Sequence, residues 1–155
     1  MDGGIAAGTG TGTINNDDQA TLTLVGIPSQ NEGLTFNFSA TLDKAVQGGF
    51  KVAYTTGSGS ATGGIDYTDN DGMLTFTGNL GETRSWDVFT SNDATVELDE
   101  NFEGTLGAIT MTSAVQAAAI TIADSPQNSV ITNNDQASVS IDANVSQSEA
   151  LTPQV

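Results

Sequence analysis

The sequence contains one segment twice, and the distance between the two copies limits the size of the folding unit. Residues 14–35 align with residues 131–152 at an offset of 117 positions, and 10 of the 22 aligned pairs are identical. This period is too long for a solenoid unit and suits one compact domain of a tandem array. We therefore expect the tail of a preceding repeat at 1–18, a complete domain at 19–135 and the start of a following repeat at 136–155.

Alternating apolar and polar residues predict short β-strands throughout the complete domain. In residues 34–42, one face carries Leu34, Phe36, Phe38, Ala40 and Leu42. Similar patterns, separated by glycine-rich turns, predict strands near 22–24, 50–54, 74–76, 86–88, 102–112, 118–123 and 128–133. The fold class is therefore all-β: a two-sheet antiparallel β-sandwich, Greek key and immunoglobulin-like, of about seven strands. Residues 124–127 read as a turn inside the last strand, either a bulge or an extra hairpin.

Composition narrows the possible partners. There are 19 acidic residues against 3 basic ones, a formal net charge of −16, so we expect no nucleic-acid partner. Cysteine and histidine are absent, which leaves only oxygen ligands for a metal and favours Ca²⁺. No apolar run approaches the roughly 18 residues of a membrane span, so we expect no membrane insertion. The start has no signal-peptide pattern, and any signal would lie outside this sequence.

The acidic residues are predicted to gather at one end of the sandwich. If successive strands run in opposite directions, the loops near 26–33, 57–66, 90–100 and 132–136 share one end. The loops predicted at the other end contain only two acidic residues, Asp43 and Glu82, and these lie next to Lys44 and Arg84 in the sequence. Because gathered carboxylates repel one another, this arrangement needs a cation, although a solvated acidic loop is the simpler alternative. The acidic residues expected at the first end are Glu32, Asp66, Asp93, Glu97, Asp99, Glu100 and Asp135.

A series of motifs in a fixed order resembles the Calx-beta family, the β-sandwich motif of sodium/calcium exchanger regulatory domains and of many bacterial surface proteins. The resemblance covers nearly the whole complete domain. Its motifs are QNEG at 30–33, YTTG at 54–57, ATGGIDY at 61–67, LTF at 74–76, GET at 81–83, NDATVELDENF at 92–102 and ITNND at 131–135.

The resemblance implies a set of calcium ligands. The glutamate before the second strand is Glu32, and the aspartate of the Asp-Tyr pair is Asp66. In the strongest calcium binders of the family, the resemblance implies runs of aspartate at positions where this sequence has asparagine. Because this sequence offers fewer carboxylates, we expect one or two Ca²⁺ ions at lower affinity. The acidic loop at 92–100 and the closing triplet at 133–135 supply the remaining positions, which are Asn92, Asp93, the backbone carbonyl near Thr95, Glu97, Glu100, Asn133, Asn134 and Asp135.

These features favour a calcium-stiffened extender repeat of a secreted or cell-surface protein, such as a bacterial adhesin, with neighbouring repeats as its partners. A calcium sensor that changes the angle between domains is one alternative, and a module that grips an unknown extracellular ligand is another. Asp93 and Glu97 could in principle act as an acid and a base. Without a nucleophile motif or a cofactor loop, we expect no enzymatic activity.

Overall fold

Nine β-strands make up the part of the chain that the computed structural model describes, which is residues 8–14, 17–112 and 119–141. No helix within these residues is long and apolar enough to cross a lipid bilayer. The strands are β1 (Ala20–Gly26), β2 (Ser29–Asn31), β3 (Thr35–Leu42), β4 (Phe50–Ser58), β5 (Gly72–Phe76), β6 (Thr83–Phe89), β7 (Glu100–Met111), β8 (Ile120–Ala123) and β9 (Gln127–Thr132).

The strands form two sheets, as the alternating pattern predicts. One sheet has the order β6-β3-β1-β8 and the other the order β2-β9-β7-β4-β5. Most neighbouring strands are antiparallel, but β1 pairs with β8 and β2 pairs with β9 in parallel. The predicted two-sheet β-sandwich is confirmed, with two parallel pairings and nine strands in place of about seven.

The difference in strand number arises because the first and last strands each change sheet. β1 and β2 are separated only by residues 27–28, yet they belong to different sheets, and the same holds for β8 and β9 around residues 124–126. Both breaks contain a proline, Pro28 or Pro126, which has no N–H to donate to a strand partner. The second break also holds Asp124 at a φ of 56° and a cis bond before Pro126. Because β8 and β9 belong to different sheets, the turn predicted at 124–127 is a switch between sheets, and both alternatives, a bulge and an extra hairpin, are wrong.

Side chains from both sheets meet in an aromatic core. Phe36, Phe38, Ala40 and Leu42 are fully buried, as the alternation of β3 predicts, whereas Leu34 precedes the strand and is exposed. Each buried phenylalanine or leucine side chain contributes about 1.5–3 kcal/mol to stability. The closest ring pairs are Trp86 with Tyr54 at 4.7 Å, Phe50 with Phe76 at 4.8 Å, Tyr67 with Phe102 at 4.8 Å and Trp86 with Phe38 at 5.1 Å.

Strand direction assigns the described loops that reverse the chain, and the segment after β9, to one of two ends. Residues 32–34, 59–71, 90–99 and 133–135 lie at the end that we call the acidic end. Residues 43–49 and 77–82 lie at the opposite end. The predicted segregation of loops therefore follows from the observed topology.

At the opposite end, Glu82 closes the turn between β5 and β6. Its carboxylate accepts hydrogen bonds from the backbone N–H of Thr77 at 3.0 Å, Gly78 at 2.9 Å and Asn79 at 3.3 Å. Arg84 adds an ion pair at 2.6 Å. Desolvation alone would favour the neutral acid, but these hydrogen bonds hold the pKa of Glu82 at about 2.

We expect Glu82→Ala to lower the free energy of unfolding at pH 7 by about 2 kcal/mol, because three backbone donors lose their acceptor. Urea denaturation measures the change. The matched control is Glu103→Ala, because the Glu103 side chain has no hydrogen bond or ion pair within the described part of the chain.

The pH dependence of this difference has a defined sign. The pKa of Glu82 is lowered from 4.5 to about 2 in the folded state. The stabilisation by Glu82 is therefore fully present above pH 4.5 and is lost as the pH falls towards 2. A gap between wild type and Glu82→Ala that stayed constant across this range would contradict the assignment.

Candidate metal site

Six carboxylates from four loops line or border one cleft at the acidic end. They form two groups of three, and within each group one oxygen from every carboxylate lies within 4.8 Å of the others. We call Glu32, Asp93 and Asp135 the first triplet, and Asp66, Glu97 and Glu100 the second triplet.

The parallel pairing of β2 with β9 brings the first triplet together. Asn31 faces Thr132 in this ladder, and the Glu32 N–H continues it by donating to the Thr132 carbonyl at 3.1 Å. Glu32 and the residues after Thr132 therefore leave the two strands side by side. Asp93 joins them because the loop after β6 is fastened to this strand end through Gly33, whose N–H donates to the Ser91 carbonyl at 3.0 Å.

The second triplet depends on a buried tyrosine. Tyr67 packs on Phe102 with ring centres 4.8 Å apart, and it fixes the long loop that carries Asp66. The Asp66 carbonyl accepts the Ser91 N–H at 2.8 Å, and its carboxylate accepts the Thr62 N–H at 2.6 Å. Glu100, the first residue of β7, lies beside Asp66.

Desolvation and, after it, the crowding of like charges raise the pKa of three of these groups. Desolvation, followed by the charges of Asp93, Asp66, Glu32 and Asp135, raises the pKa of Glu97. For Glu100, desolvation and a hydrogen bond with the Asp66 carboxyl raise the pKa. The pKa of Asp135 rises through desolvation and the neighbouring Glu32 and Asp93 charges. The folded chain therefore holds these carboxylates against their mutual repulsion.

Two of the predicted residues shape the loop after β9, residues 133–135, which we call the closing loop. Asn133 donates through Nδ2 to the Glu97 carbonyl at 2.8 Å and accepts the Asp135 N–H at 2.7 Å. Asn134 donates its backbone N–H to the Glu32 carboxylate at 3.1 Å. Asn133 also lines the cleft.

The remaining two predicted residues belong to the acidic loop after β6. Thr95 donates its backbone N–H to the Asp93 carboxylate at 2.7 Å, so it orients a member of the first triplet. Asn92 donates through Nδ2 to the Asp93 carbonyl at 3.2 Å. It also lies against Gly33, which has a φ of 75°. A Cβ added at Gly33 would lie 2.8 Å from the Asn92 Cβ, so there is no room for a side chain there.

Sequence reasoning placed Asp99 at this end without a ligand role, and it gave no site role to Ser91, Leu98 or Ile131. Asp99 accepts the Asn133 N–H at 3.1 Å and so supports the closing loop. Ser91, Leu98 and Ile131 line the cleft. The only sequence feature that points to Asp99 and Leu98 is that they belong to the acidic loop. Nothing in the local pattern distinguishes Ser91 from other turn residues.

The donor set fits a hard divalent cation. Carboxylate and amide oxygens are the ligands that Ca²⁺ takes in proteins, usually six to eight of them. The Oδ2 atom of Asp135 is shielded from solvent and has no hydrogen-bond donor within the described residues. A shielded carboxylate oxygen without a donor is costly unless a cation balances it.

The chain belongs to the Calx-beta domain family, which matches residues 29–126. No curated protein matches significantly. Among solved structures, the apo form of the Calx CBD1 domain is similar, with a TM-score of 0.61 and 17% identity over 74% of this chain and 98% of that chain.

Two further similar structures contain more than this chain spans. One is CBD12 from CALX1.2, with a TM-score of 0.61 and 19% identity over 73% of this chain and 46% of that chain. The other is the calcium binding domain CBD12 of CALX1.1, with a TM-score of 0.58 and 16% identity over 76% of this chain and 45% of that chain. The chain thus matches about half the length of each, and at these identities the likeness shows the fold.

We expect the thermal stability of the protein in calcium-free buffer to rise as the pH falls from 7 into the mildly acidic range. Carboxyl groups with raised pKa values bind protons more tightly in the folded state, so protonation relieves the repulsion. Below pH 4.5 the loss of the Glu82 contacts reverses the trend. The melting temperature as a function of pH measures both effects.

A pair of double variants separates this local repulsion from the general effect of a large negative charge. Glu97→Gln with Asp135→Asn removes two charges from the cleft and is expected to raise the melting temperature at pH 7 and to weaken the acid-induced gain. Glu103→Gln with Asp124→Asn removes two charges elsewhere and serves as the control. Equal effects of the two variants would show that the cleft carboxylates are not specially crowded.

Proposed function

We propose that the chain is a calcium-binding extender module of a secreted or cell-surface multidomain protein such as a bacterial adhesin. The observation that carries this proposal is the convergence of two carboxylate triplets from four separate loops at one end of a rigid sandwich. Carboxylates gathered in this way are stable together when a cation balances their charge. The site thus serves the fold by joining four loops through an ion.

Two Ca²⁺ ions match the arrangement, one at each triplet. Glu32, Asp93 and Asp135 would hold one ion, and Asp66, Glu97 and Glu100 would hold the other. Bound calcium supplies positive charge and a shared centre for oxygen ligands, and the protein supplies loops already positioned by Tyr67 and by the β2–β9 ladder. Since some ligands are exposed, we expect the dissociation constant to be roughly 10⁻⁴ to 10⁻³ M, as in extracellular modules.

The repeat in the sequence links this site to a neighbouring domain. Asp135 is followed by a single residue, Gln136, before the segment that repeats the first strand. Val139 and Ile141 in this segment are exposed, whereas their repeat counterparts Leu22 and Leu24 are fully buried in the core. Neighbouring repeats are therefore the partners we propose, with calcium stiffening the junction between them.

A calcium sensor is the second candidate, since two of the similar structures are tandem CBD12 units and one of them is described as a calcium binding domain. In that case, ion binding would change the angle between domains as a signal. The two functions differ in affinity: a sensor needs a dissociation constant of about 10⁻⁷ to 10⁻⁵ M. A module that grips an extracellular ligand is the third candidate, and it requires a ligand that binds apart from the repeats.

Calcium titration by calorimetry tests the proposal directly. We expect saturable calcium binding to the wild type and a melting temperature that rises with calcium. At a free calcium concentration 100 times the dissociation constant, the stabilisation of the folded state is about 2.7 kcal/mol. Asp93→Asn with Glu97→Gln removes one ligand from each triplet and should abolish the heat signal and the stabilisation.

The control for this titration is again Glu103→Gln with Asp124→Asn, which has the same net charge and keeps both triplets. Submicromolar binding would favour the sensor. If the wild type showed no saturable heat up to calcium concentrations of about 10 mM, ten times the weakest expected dissociation constant, the calcium proposal would fail.

Asn134→Asp is expected to tighten calcium binding by roughly tenfold, about 1.4 kcal/mol, by adding a negative charge beside the first triplet. The repeat counterpart of Asn134 is Asp17, so the change restores the acid of the earlier copy. The same variant should melt at a lower temperature in chelator, because the added charge faces Glu32. Ser85→Asp, which adds a charge on the outer face of β6, should change neither property, and tighter binding by both variants would refute a local effect.

A further inference from the structure

The strand β7 is paired on both sides over only part of its length. β4 accompanies it as far as Met111, whereas β9 pairs with it only over residues 100–104. The Leu106 N–H donates to the Ser125 hydroxyl at 2.8 Å, which ends the contacts on the β9 side. Beyond this point, residues 107–111 have no strand on that side within the described part of the chain. We call residues 107–111 the bare segment of β7.

The backbone of the bare segment points polar groups towards the open side. The Thr112 N–H donates to the Gly49 carbonyl at 3.4 Å, so the backbone of Thr112 faces β4. Because this direction alternates along an antiparallel strand, the N–H and C=O groups of Ile109 and Met111 face away from β4. Among the described residues, neither has a backbone hydrogen bond on that side. Two donors and two acceptors are therefore available to a further strand.

The strand β8 forms the other half of the same opening. It is the last strand of its sheet, has four residues and pairs only with β1 in the part of the chain that is described. Ser125 follows β8 and bonds to Leu106, so the end of β8 lies beside the start of the bare segment. Ile122 on β8 packs against the core but is only partly buried, and the same holds for Ile109 and Met111 on β7. We call the free edge of β8 and the bare segment of β7 together the open seam.

The edges on the far side of the sandwich are blocked by side chains. Arg84 on β6 donates through Nε to the Thr75 carbonyl of β5 at 2.8 Å. Asn70 donates through Nδ2 to the Asp87 carbonyl of β6 at 2.7 Å. The remaining edge strand, β2, is only three residues long. Natural sheets protect their edges in these ways because an unprotected edge pairs with another chain. The open seam has no such protection from the residues that the structure describes.

The segment that carries the seam contains no charged side chain. Residues 104–123 form an uncharged run of 20 residues, the longest in the sequence. The net charge of −16 makes two copies repel in most orientations, and this repulsion is weakest at the seam. It is not abolished there, because Glu103 and Asp124 border the run and Asp43 bonds to Thr21 beside the start of β8. An uncharged strand edge of this kind suits a second uncharged strand edge better than a charged partner.

We propose that the open seam is an interface between two copies of this module, in which the free edge of β8 and the bare segment of β7 face their own counterparts across a two-fold axis. Identical edges related by such an axis pair antiparallel, so that N–H groups of one copy meet C=O groups of the other. The contact also covers Ile109, Met111 and Ile122, which removes apolar surface from water. It is a side-to-side contact away from the carboxylate triplets, and it goes beyond the proposed function.

The short length of the seam makes the contact between single modules weak. An edge of this size falls below the roughly 800 Å² per partner of a stable complex, so we expect a dissociation constant of about 10⁻⁴ to 10⁻³ M. In two rows of tandem repeats, several seams can engage together, and the combined affinity can then exceed the single one by a factor of about 10² to 10⁴. Because the paired strands are antiparallel, two such rows run in opposite directions.

Sedimentation equilibrium of the full chain, between about 0.02 and 2 mM protein, tests the contact. We expect the average mass to rise from that of one chain towards that of two and no further, because a two-fold contact closes on itself. Raising the NaCl concentration from about 0.05 to about 0.5 M should tighten the association at least threefold by screening the negative charge. Association that weakens with salt, or a mass that rises beyond that of a dimer, would overturn the proposal.

Lysine substitutions at exposed positions locate the interface. Thr121→Lys on β8 and Ala108→Lys on β7 each make the chain less negative, which reduces the general repulsion between copies. Each should nevertheless weaken the association at least tenfold, because the new charges of the two copies meet at the seam. Ser85→Lys makes the same change of charge on the outer face of β6 and is the control, which should associate at least as well as the wild type. Equal effects of the three variants would contradict an interface at the seam.

Hydrogen exchange measured by NMR identifies what covers the seam. The amides of Ile109 and Met111 should exchange about two- to threefold more slowly at 2 mM than at 0.1 mM protein, and Thr121→Lys should remove this difference. The amide of Thr110 faces β4 and is the internal control. Slow exchange of Ile109 and Met111 in a chain that stays monomeric would mean that the same chain covers the seam, and the proposal would fail. The association should persist in chelator, so its loss and the loss of calcium binding are separate results.

Discussion

Mutual repulsion among six carboxylates is the constraint on which the acidic end depends. Unrestrained loops would separate these charges, and here they are held by groups that have other reasons to stay in place. Tyr67 is buried against Phe102, the β2–β9 ladder aligns the ends of two strands, and Ser91 joins two loops by backbone hydrogen bonds. The stability of the aromatic core is therefore partly used to keep like charges together, which prepares the site for a cation.

Much of this arrangement could be predicted from the sequence. The period of two in β3 correctly placed Phe36, Phe38, Ala40 and Leu42 in the core, and the alternating direction of strands correctly placed the acidic loops at one end. Both predictions use only local periodicity and the parity of strand number. An undetected switch between sheets does not disturb them, because the chain keeps its direction through the switch.

Features that depend on contacts between distant segments could not be predicted. The changes of sheet at Pro28 and Pro126 are set by how two sheets pack, and the sequence shows only a turn. Leu34 continues an alternating pattern but lies outside the strand. Glu82 reads as one more surface acid until its three backbone donors are seen. The side-chain amide of Asn133 likewise binds the Glu97 carbonyl, 36 positions away in the sequence. The backbone N–H of Asn134 binds the Glu32 carboxylate, 102 positions away.

The switch of the first and last strands between sheets has a mechanical consequence. β1 begins at one end of the module and β9 finishes at the other, and β1 with β8 and β2 with β9 are parallel pairs. A tensile force between the two ends pulls these pairs along their own axes. Their hydrogen bonds run across that direction and are therefore sheared together, so rupture requires many bonds to break at once, where a peeled hairpin would lose them singly.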